Sequence, residues 1–204
     1  NLPLDTIEAL AWASNLEWGF NKHPPVSALV VEVFYQIFGA RDWAYYLLSQ
    51  IFVIISFLYV WKLSTEFFKE KKFSLISVLL LEGIYFYNFT TPEFNVNICL
   101  LPFWSATVYY SWKSFKEDKF LYWVLFGVFA GIGFLSKYLF IYLLAGIGIF
   151  FIFLTVTNKK FNFKYLLPIL FFIAVIFPHI IWLIKNEYMA ACRCGCDRPS
   201  LRFC

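Results

Sequence analysis

Long apolar runs, separated by short polar loops, occupy the sequence from residue 42 onward. Crossing a hydrocarbon core of about 30 Å takes roughly 20 residues of helix, and the runs approach that length. They lack the strict alternation of lipid-facing and lumen-facing residues that a membrane-spanning strand shows. The pattern therefore predicts about six transmembrane helices, over residues 42–63, 73–89, 96–112, 120–135, 139–156 and 165–184.

Residues 1–41 follow a different pattern. Apolar residues recur at helical spacing over 5–18, with acids between them, as in a helix that lies in the membrane interface. Pro24 and Pro25 end this pattern, because proline cannot continue a helix. A second interfacial helix is predicted over 26–38.

Composition supports a membrane environment. The chain of 204 residues is 61% apolar and only 15% charged, with a mean hydropathy of +0.69. A soluble domain averages roughly 45–50% apolar residues. We therefore predict an all-α integral membrane protein, a polytopic helical bundle surrounded by membrane lipids. The net charge of +4 is small and forms no continuous basic face, so a nucleic-acid partner is not expected.

Lysines set the expected orientation of the bundle. They cluster in three loops that follow every second crossing, at residues 62–72, 113–119 and 158–164. The positive-inside rule places these loops in the cytoplasm and residues 1–41 on the outer side. A chain that starts outside without a targeting segment is expected to have lost a preceding helix, so we interpret the sequence as a fragment truncated at both ends.

The five cysteines fall into two groups along the chain. Cys99 lies in an apolar run, where a small buried side chain is expected. Four more occupy the end of the chain: Cys192, Cys194, Cys196 and Cys204. Their spacing is compatible with a metal or redox motif, but the abrupt change of composition favours a non-native or frameshifted tail. The predicted domains are 1–41, an extracytoplasmic loop; 42–189, a truncated transmembrane bundle; and 190–204, the tail.

Four segments, in order along the chain, resemble one family of enzymes. They read LDTIEA (4–9) followed by WGFNKHPP (18–25), then FG (38–39), GFLSKY (133–138) and PHIIWL (178–183). This set resembles bacterial membrane glycosyltransferases related to the dolichyl-phosphate-mannose protein mannosyltransferases and to the lipid A aminoarabinose transferases. The resemblance implies a GT-C-like fold, and an inverting transfer of sugar from a polyprenyl-phosphate donor to an envelope glycolipid, glycan or protein.

The resemblance also implies a catalytic acid. It matches Asp5 to the family's essential carboxylate, which would deprotonate the acceptor. Family members often carry a second acid next to the first, whereas here Thr6 follows and Glu8 is the nearest acid. On a helix Asp5 and Glu8 share a face, so Glu8 is expected to assist or to hold a metal. The alternative is that Asp5 only caps the first helix, with Glu8 completing a capping box.

Basic residues are the implied partners of the lipid phosphate. Lys22 and His23 match the segment of the family that faces it. Lys22 could instead reach anionic headgroups. Lys137, at a turn between two predicted spans, is a further candidate for the donor site.

Three more residues are candidate contacts to donor or acceptor. The family usually presents a second acid on the next outer loop, where this chain offers Glu93 and, closer to the matching position, Asn97. His179 lies near the end of the last span, where it either faces the same cavity or satisfies a carbonyl freed by Pro178.

The expected function is thus glycosyl transfer at the outer face of a bacterial inner membrane. The rival hypothesis is a transporter or flippase of lipid-linked saccharides, which would show broken helices and internal repeats. A third is a structural membrane subunit. No cofactor is predicted, the acids are compatible with a divalent metal, and the sequence does not predict an oligomeric state.

Overall fold

A computed structural model describes residues 2–20, 22–158 and 163–186 of the chain. These residues contain helices, turns and loops but no strand. In chain order the helices are α1 Leu4–Ala13, α2 Val26–Phe38, α3 Asp42–Phe67, α4 Lys71–Leu79, α5 Tyr85–Asn88, α6 Val96–Glu117, α7 Phe120–Ser136, α8 Ile141–Asn158 and α9 Leu166–Lys185. Short 3₁₀ turns cover Leu80–Gly83, Tyr138–Phe140 and Phe163–Tyr165. The expected cysteine-rich tail lies outside the described residues.

The core is a row of packed helices in the order α3, α6, α7 and α9. Small residues allow α7 and α9 to approach closely. A Cβ atom added to Gly127 would lie 2.5 Å from the carbonyl oxygen of Pro168, and one added to Gly131 would lie 2.7 Å from Cβ of Val175. Small side chains at four-residue spacing are a usual basis of helix association in membranes. Cys99 is fully buried in this core, as predicted.

Among the described residues, three segments are long and apolar enough to cross a membrane: Asp42–Phe67, Tyr138–Thr157 and Phe163–Lys185. They correspond to the first, fifth and sixth predicted spans. α7 is a shorter apolar helix of 17 residues, and α6 has 22 residues but is not among the three. The prediction of a helical membrane protein is therefore confirmed, whereas the count of about six spans is not.

The second predicted span, residues 73–89, is not a continuous helix. α4 ends at Leu79, the chain continues as a 3₁₀ turn to Gly83, and α5 has only four residues. The side chain of Asn88 donates to the carbonyl of Glu82 at 3.1 Å, which satisfies a backbone group within the break. The apolar composition did not reveal this interruption, because hydropathy depends only on the side-chain types and carries no information on backbone geometry.

The bundle has two charged ends. α6 begins and α7 ends beside the segment that joins α1 to α2. At the other end, where α3 and α6 finish and α7 begins, Glu66, Lys113, Lys116 and Glu117 form ion pairs. The candidate chemistry lies at the first of these ends.

Candidate functional site

The segment between α1 and α2 is held against the last helix. Nε1 of Trp182 donates to Oε2 of Glu17 at 2.9 Å, and the ring nitrogen Nδ1 of His179 contacts the carbonyl of Trp18. Gly19 packs so closely that an added Cβ would lie 2.5 Å from the Trp182 ring. A larger residue at position 19 would therefore displace the segment. These contacts with α9 fix the position of residues 17–19, which lead into residues 22–25.

The start of α1 is tied to the loop that precedes α6. The amide of Asp5 donates to Oε1 of Glu93 at 3.1 Å, and Oγ1 of Thr6 donates to the carbonyl of Phe94 at 3.1 Å. The residue before the helix is Pro3, with no side-chain cap. The capping-box alternative for Asp5 is therefore wrong. Glu93 accepts a hydrogen bond from the amide of Asp5, and the Asp5 carboxylate does not cap the helix.

These contacts enclose a small polar cavity of about 190 Å³. Its lining comes from α1, from the segment before α2, from the start of α6 and from the residue after α7. The lining residues are Asp5, Glu8, Ala9, Trp12, Lys22, His23, Ser27, Asn95, Val96, Asn97 and Lys137. Larger cavities of about 460 and 520 Å³ lie between the helices elsewhere, and no acid, lysine or histidine lines them. A third, of about 320 Å³, is lined by Glu32 and Asp42 but by no lysine or histidine. We therefore place the candidate site in the smaller cavity.

Lys22 and Glu8 form an ion pair across this cavity. Nζ of Lys22 lies 2.9 Å from Oε2 of Glu8, with side chains that are 56% and 36% exposed. The hydrogen bond to Glu8 raises the pKa of Lys22, so the ammonium stays charged at neutral pH. Because an exposed pair contributes only about 0–1 kcal/mol, Lys22 can exchange Glu8 for another anion at little cost.

Lys137 enters the cavity from the end of α7. Its Nζ donates to Oδ1 of Asn97 at 2.5 Å. Asn97 lies in the first turn of α6, which Asn95 caps by accepting from the amides of Asn97 and Ile98. An amide oxygen orients the ammonium without neutralising it, so Lys137 brings a net positive charge to the site.

His23 supplies an uncharged group beside these cations. Burial lowers its pKa first, and the positive charge of Lys22 lowers the pKa further. Its ring packs edge-on against Trp12, with centroids 5.7 Å apart. His23 is therefore neutral at neutral pH and suited to hydrogen bonding.

Asp5 differs from Glu8 in its surroundings. Its side chain is exposed at the cavity, and within the described part of the chain its carboxylate forms no hydrogen bond or ion pair. A carboxylate that neither caps a helix nor pairs with a lysine remains available to accept a proton.

The structure thus brings six of the eight candidate residues to one cavity: Asp5, Glu8, Lys22, His23, Asn97 and Lys137. The other two lie outside its lining. Glu93 holds the start of α1, and the Nε2 atom of His179 lies 2.8 Å from the hydroxyl of Tyr138. His179 is buried and hydrogen-bonded at both ring nitrogens. It therefore holds the segment between α1 and α2, and it does not satisfy a carbonyl freed by Pro178.

Sequence reasoning missed Trp12, Asn95 and Ser27. Trp12 stacks on Phe20, with centroids 5.4 Å apart, and gives the cavity an aromatic wall. Asn95 carries an N-cap signature ahead of an apolar run and could have been found that way. Among the described residues, no three His, Cys, Asp or Glu side chains are arranged to hold a metal.

Comparison with known proteins identifies the family. A model of the family described as dolichyl-phosphate-mannose-protein mannosyltransferase matches residues 22–182. The match contains every basic residue of the cavity and begins after Asp5 and Glu8. No curated protein and no solved structure matches the chain. Since the match covers most of the 204 residues, the chain belongs to this dolichyl-phosphate-mannose-protein mannosyltransferase family of membrane glycosyltransferases.

Proposed function

We propose that the protein transfers a sugar from a polyprenyl-phosphate donor to a hydroxyl or amine of an envelope glycolipid, glycan or protein. The reaction takes place at the outer face of a bacterial inner membrane. The observation that carries the proposal is that Asp5, whose carboxylate has no ion-pair partner among the described residues, lines the same cavity as the two cations Lys22 and Lys137. Family membership supports glycosyl transfer as the reaction class.

Each side chain has a separate role in this proposal. Asp5 accepts the proton of the acceptor as its oxygen or nitrogen bonds to the anomeric carbon. The bond from that carbon to the phosphate oxygen breaks, and the electron pair leaves with the phosphate. Attack from the opposite face inverts the anomeric centre.

The cations act on the leaving group. Negative charge grows on the bridging phosphate oxygen during the reaction, and Lys22 and Lys137 stabilise it. Glu8 holds Lys22 in place before the donor arrives, at 2.9 Å. Asn97 does the same for Lys137. Because both lysines are already oriented, little reorganisation is needed when the phosphate binds.

The donor class can be tested with purified protein in nanodiscs. We expect radiolabelled polyprenyl-phosphate sugar to be consumed with release of polyprenyl phosphate, and a nucleotide sugar to be inert. The Asp5→Asn variant should bind the donor but not cleave it. Translocation of the intact donor across vesicles without cleavage would instead favour the transporter hypothesis.

The side of the membrane needs its own test. In a background with all native cysteines replaced, Pro92→Cys and Lys119→Cys place single thiols at exposed positions near opposite ends of the bundle. An impermeant maleimide added to intact cells should modify the first and spare the second. The reverse pattern would put the cavity on the cytoplasmic side.

A further inference from the structure

Ser27 is a buried polar residue in the wall of the cavity. Its side chain is only 1% exposed, and no described group forms a hydrogen bond with its Oγ atom. Ser27 also lines the cavity together with Lys22 and Lys137. A buried hydroxyl without a partner destabilises a folded protein, so such a group calls for a ligand or another explanation.

The same residue stands at the start of a helix. α2 begins at Val26 and continues for 13 residues, and no side chain caps its first turn. The first amides of a helix lack partners within it, and the helix dipole makes this end positive. The two prolines that precede Val26 have no N–H, so the donors at this end begin with the amides of Val26 and Ser27.

The charges around Ser27 favour an anion on the α2 side of the cavity. Lys22 precedes the helix. Lys137 enters from α7, and among the described residues its ammonium donates to the neutral amide of Asn97. Asp5 and Glu8 lie on α1, so an anion avoids them by lying against α2. Helix N-termini with nearby lysines commonly bind phosphate.

We propose that a phosphate group binds at the N-terminus of α2, where Ser27 donates a hydrogen bond from Oγ and Lys22 and Lys137 supply the opposing charge. The proposal rests on the proposed function, because it assigns this position to the phosphate of the lipid-linked donor. Ser27 then contributes to donor affinity, and it does so at a cost to the stability of the empty protein.

Two substitutions separate this role from a structural one. Ser27→Ala removes the hydroxyl, and Ser27→Cys keeps the shape but weakens the hydrogen bond. Ser74→Ala is a matched control, because Ser74 is also buried with an unpartnered Oγ but lies on α4, away from the cavity. Each protein is reconstituted in nanodiscs, and binding of polyprenyl phosphate, inorganic phosphate and phosphatidylglycerol is measured beside the melting temperature.

We expect Ser27→Ala to weaken polyprenyl phosphate binding about ten- to a hundredfold, as for loss of a hydrogen bond to a charged group. Ser27→Cys should also weaken it. Neither change should lower the melting temperature, and Ser74→Ala should leave binding unchanged. If the sensitive ligand is inorganic phosphate or phosphatidylglycerol instead, the site binds phosphate from that source, and its assignment to the lipid-linked donor is overturned.

Parental affinity of Ser27→Ala for all three ligands would overturn the Ser27 proposal. A lowered melting temperature with unchanged affinity would overturn it as well. If Lys22→Ala still loses polyprenyl phosphate in that case, the proposed function survives without Ser27. The proposed function itself fails if Lys22→Ala binds normally and Asp5→Asn cleaves the donor at the parental rate.

Discussion

At one end of the bundle, Lys113 lies 2.7 Å from Glu66 and 2.5 Å from Glu117, and these side chains are 14%, 15% and 26% exposed. Lys116 and Lys119 add further pairs to the same two acids. At the other end, Lys22 pairs with Glu8, but Lys137 meets a neutral amide. Asp5 forms no ion pair there among the described residues.

The difference lies in how completely charge is compensated. At the Lys113 end, Glu66, Lys113, Lys116 and Glu117 compensate one another and join α3 to α6. Incompletely paired charges at the Lys22 end remain available to a ligand or a reaction. Substitutions at the two ends should therefore affect different measurements.

The largest effect is expected at Asp5. Asp5→Asn removes the proposed base but keeps its shape, so turnover should fall by about 10²–10⁴-fold while donor affinity is retained. Single-turnover transfer from radiolabelled polyprenyl-phosphate sugar measures both quantities. Glu66→Gln makes the same change at the other end and should keep the parental rate. Parental turnover in Asp5→Asn would leave the enzyme hypothesis without its base.

The next comparison is between Lys22 and Lys116, one lysine from each end of the bundle. Among the described residues each makes one ion pair, Lys22 with Glu8 at 2.9 Å and Lys116 with Glu66 at 2.8 Å, and the lysine side chains are 56% and 49% exposed. Lys22→Ala should weaken donor binding about tenfold, because its partner is a phosphate that is present in the ground state. Lys116→Ala should not change it. Equal effects in a donor-binding assay would show that general surface charge, and not a site, attracts the donor.

Stability should show the opposite order. Glu66→Gln removes one partner of the nearly buried Lys113, which we expect to cost about 1–2 kcal/mol and to lower the melting temperature by about 3–6 °C. Glu8→Gln breaks an exposed pair and should cost no more than about 1 kcal/mol. Thermal unfolding in the same detergent compares the two. A larger loss for Glu8→Gln would mean that the Lys22 end is the structural one.

The smallest expected effect concerns pH. Burial and Lys22 lower the pKa of His23 below its ordinary 6.5, so the unfolded chain binds its proton more readily than the folded chain. Stability should therefore fall as the pH drops from 6.5 toward that lowered pKa. His23→Gln should show a shallower fall in melting temperature between pH 7.5 and 5.5. An identical slope would place His23 in a water-like environment.

Much of the fold follows from local pattern. Each of the helices α3, α8 and α9 contains a long apolar run, and the sequence predicted their positions. Such a run marks a membrane helix because a helix satisfies its backbone hydrogen bonds within itself. The interruption after Leu79 was not predictable, since Leu80 and Leu81 are as apolar as the helix before them.

Some residues of the site were likewise predictable from the sequence, and others were not. Asp5 and Lys22 were expected at the site from the family resemblance, and Lys137 as an ionisable group at a turn between two spans. The structure places all three in one cavity, while their chemical roles stay predictions. Ser27 gave no signal, because its buried hydroxyl is defined by three-dimensional packing alone. The roles of Glu93 and His179 were likewise hidden, since their partners lie 88 and 161 residues away.

Photocrosslinking tests most directly which end binds the donor. A polyprenyl-phosphate sugar with a diazirine in the isoprene unit next to the phosphate is bound to the protein in nanodiscs, irradiated and mapped by mass spectrometry. The account predicts adducts within residues 18–28, 95–97 and 137–138, and their loss in Lys22→Ala. Adducts confined to residues 62–72 or 111–119 would contradict it, because they would place the phosphate at the Lys113 end of the bundle, away from the cavity.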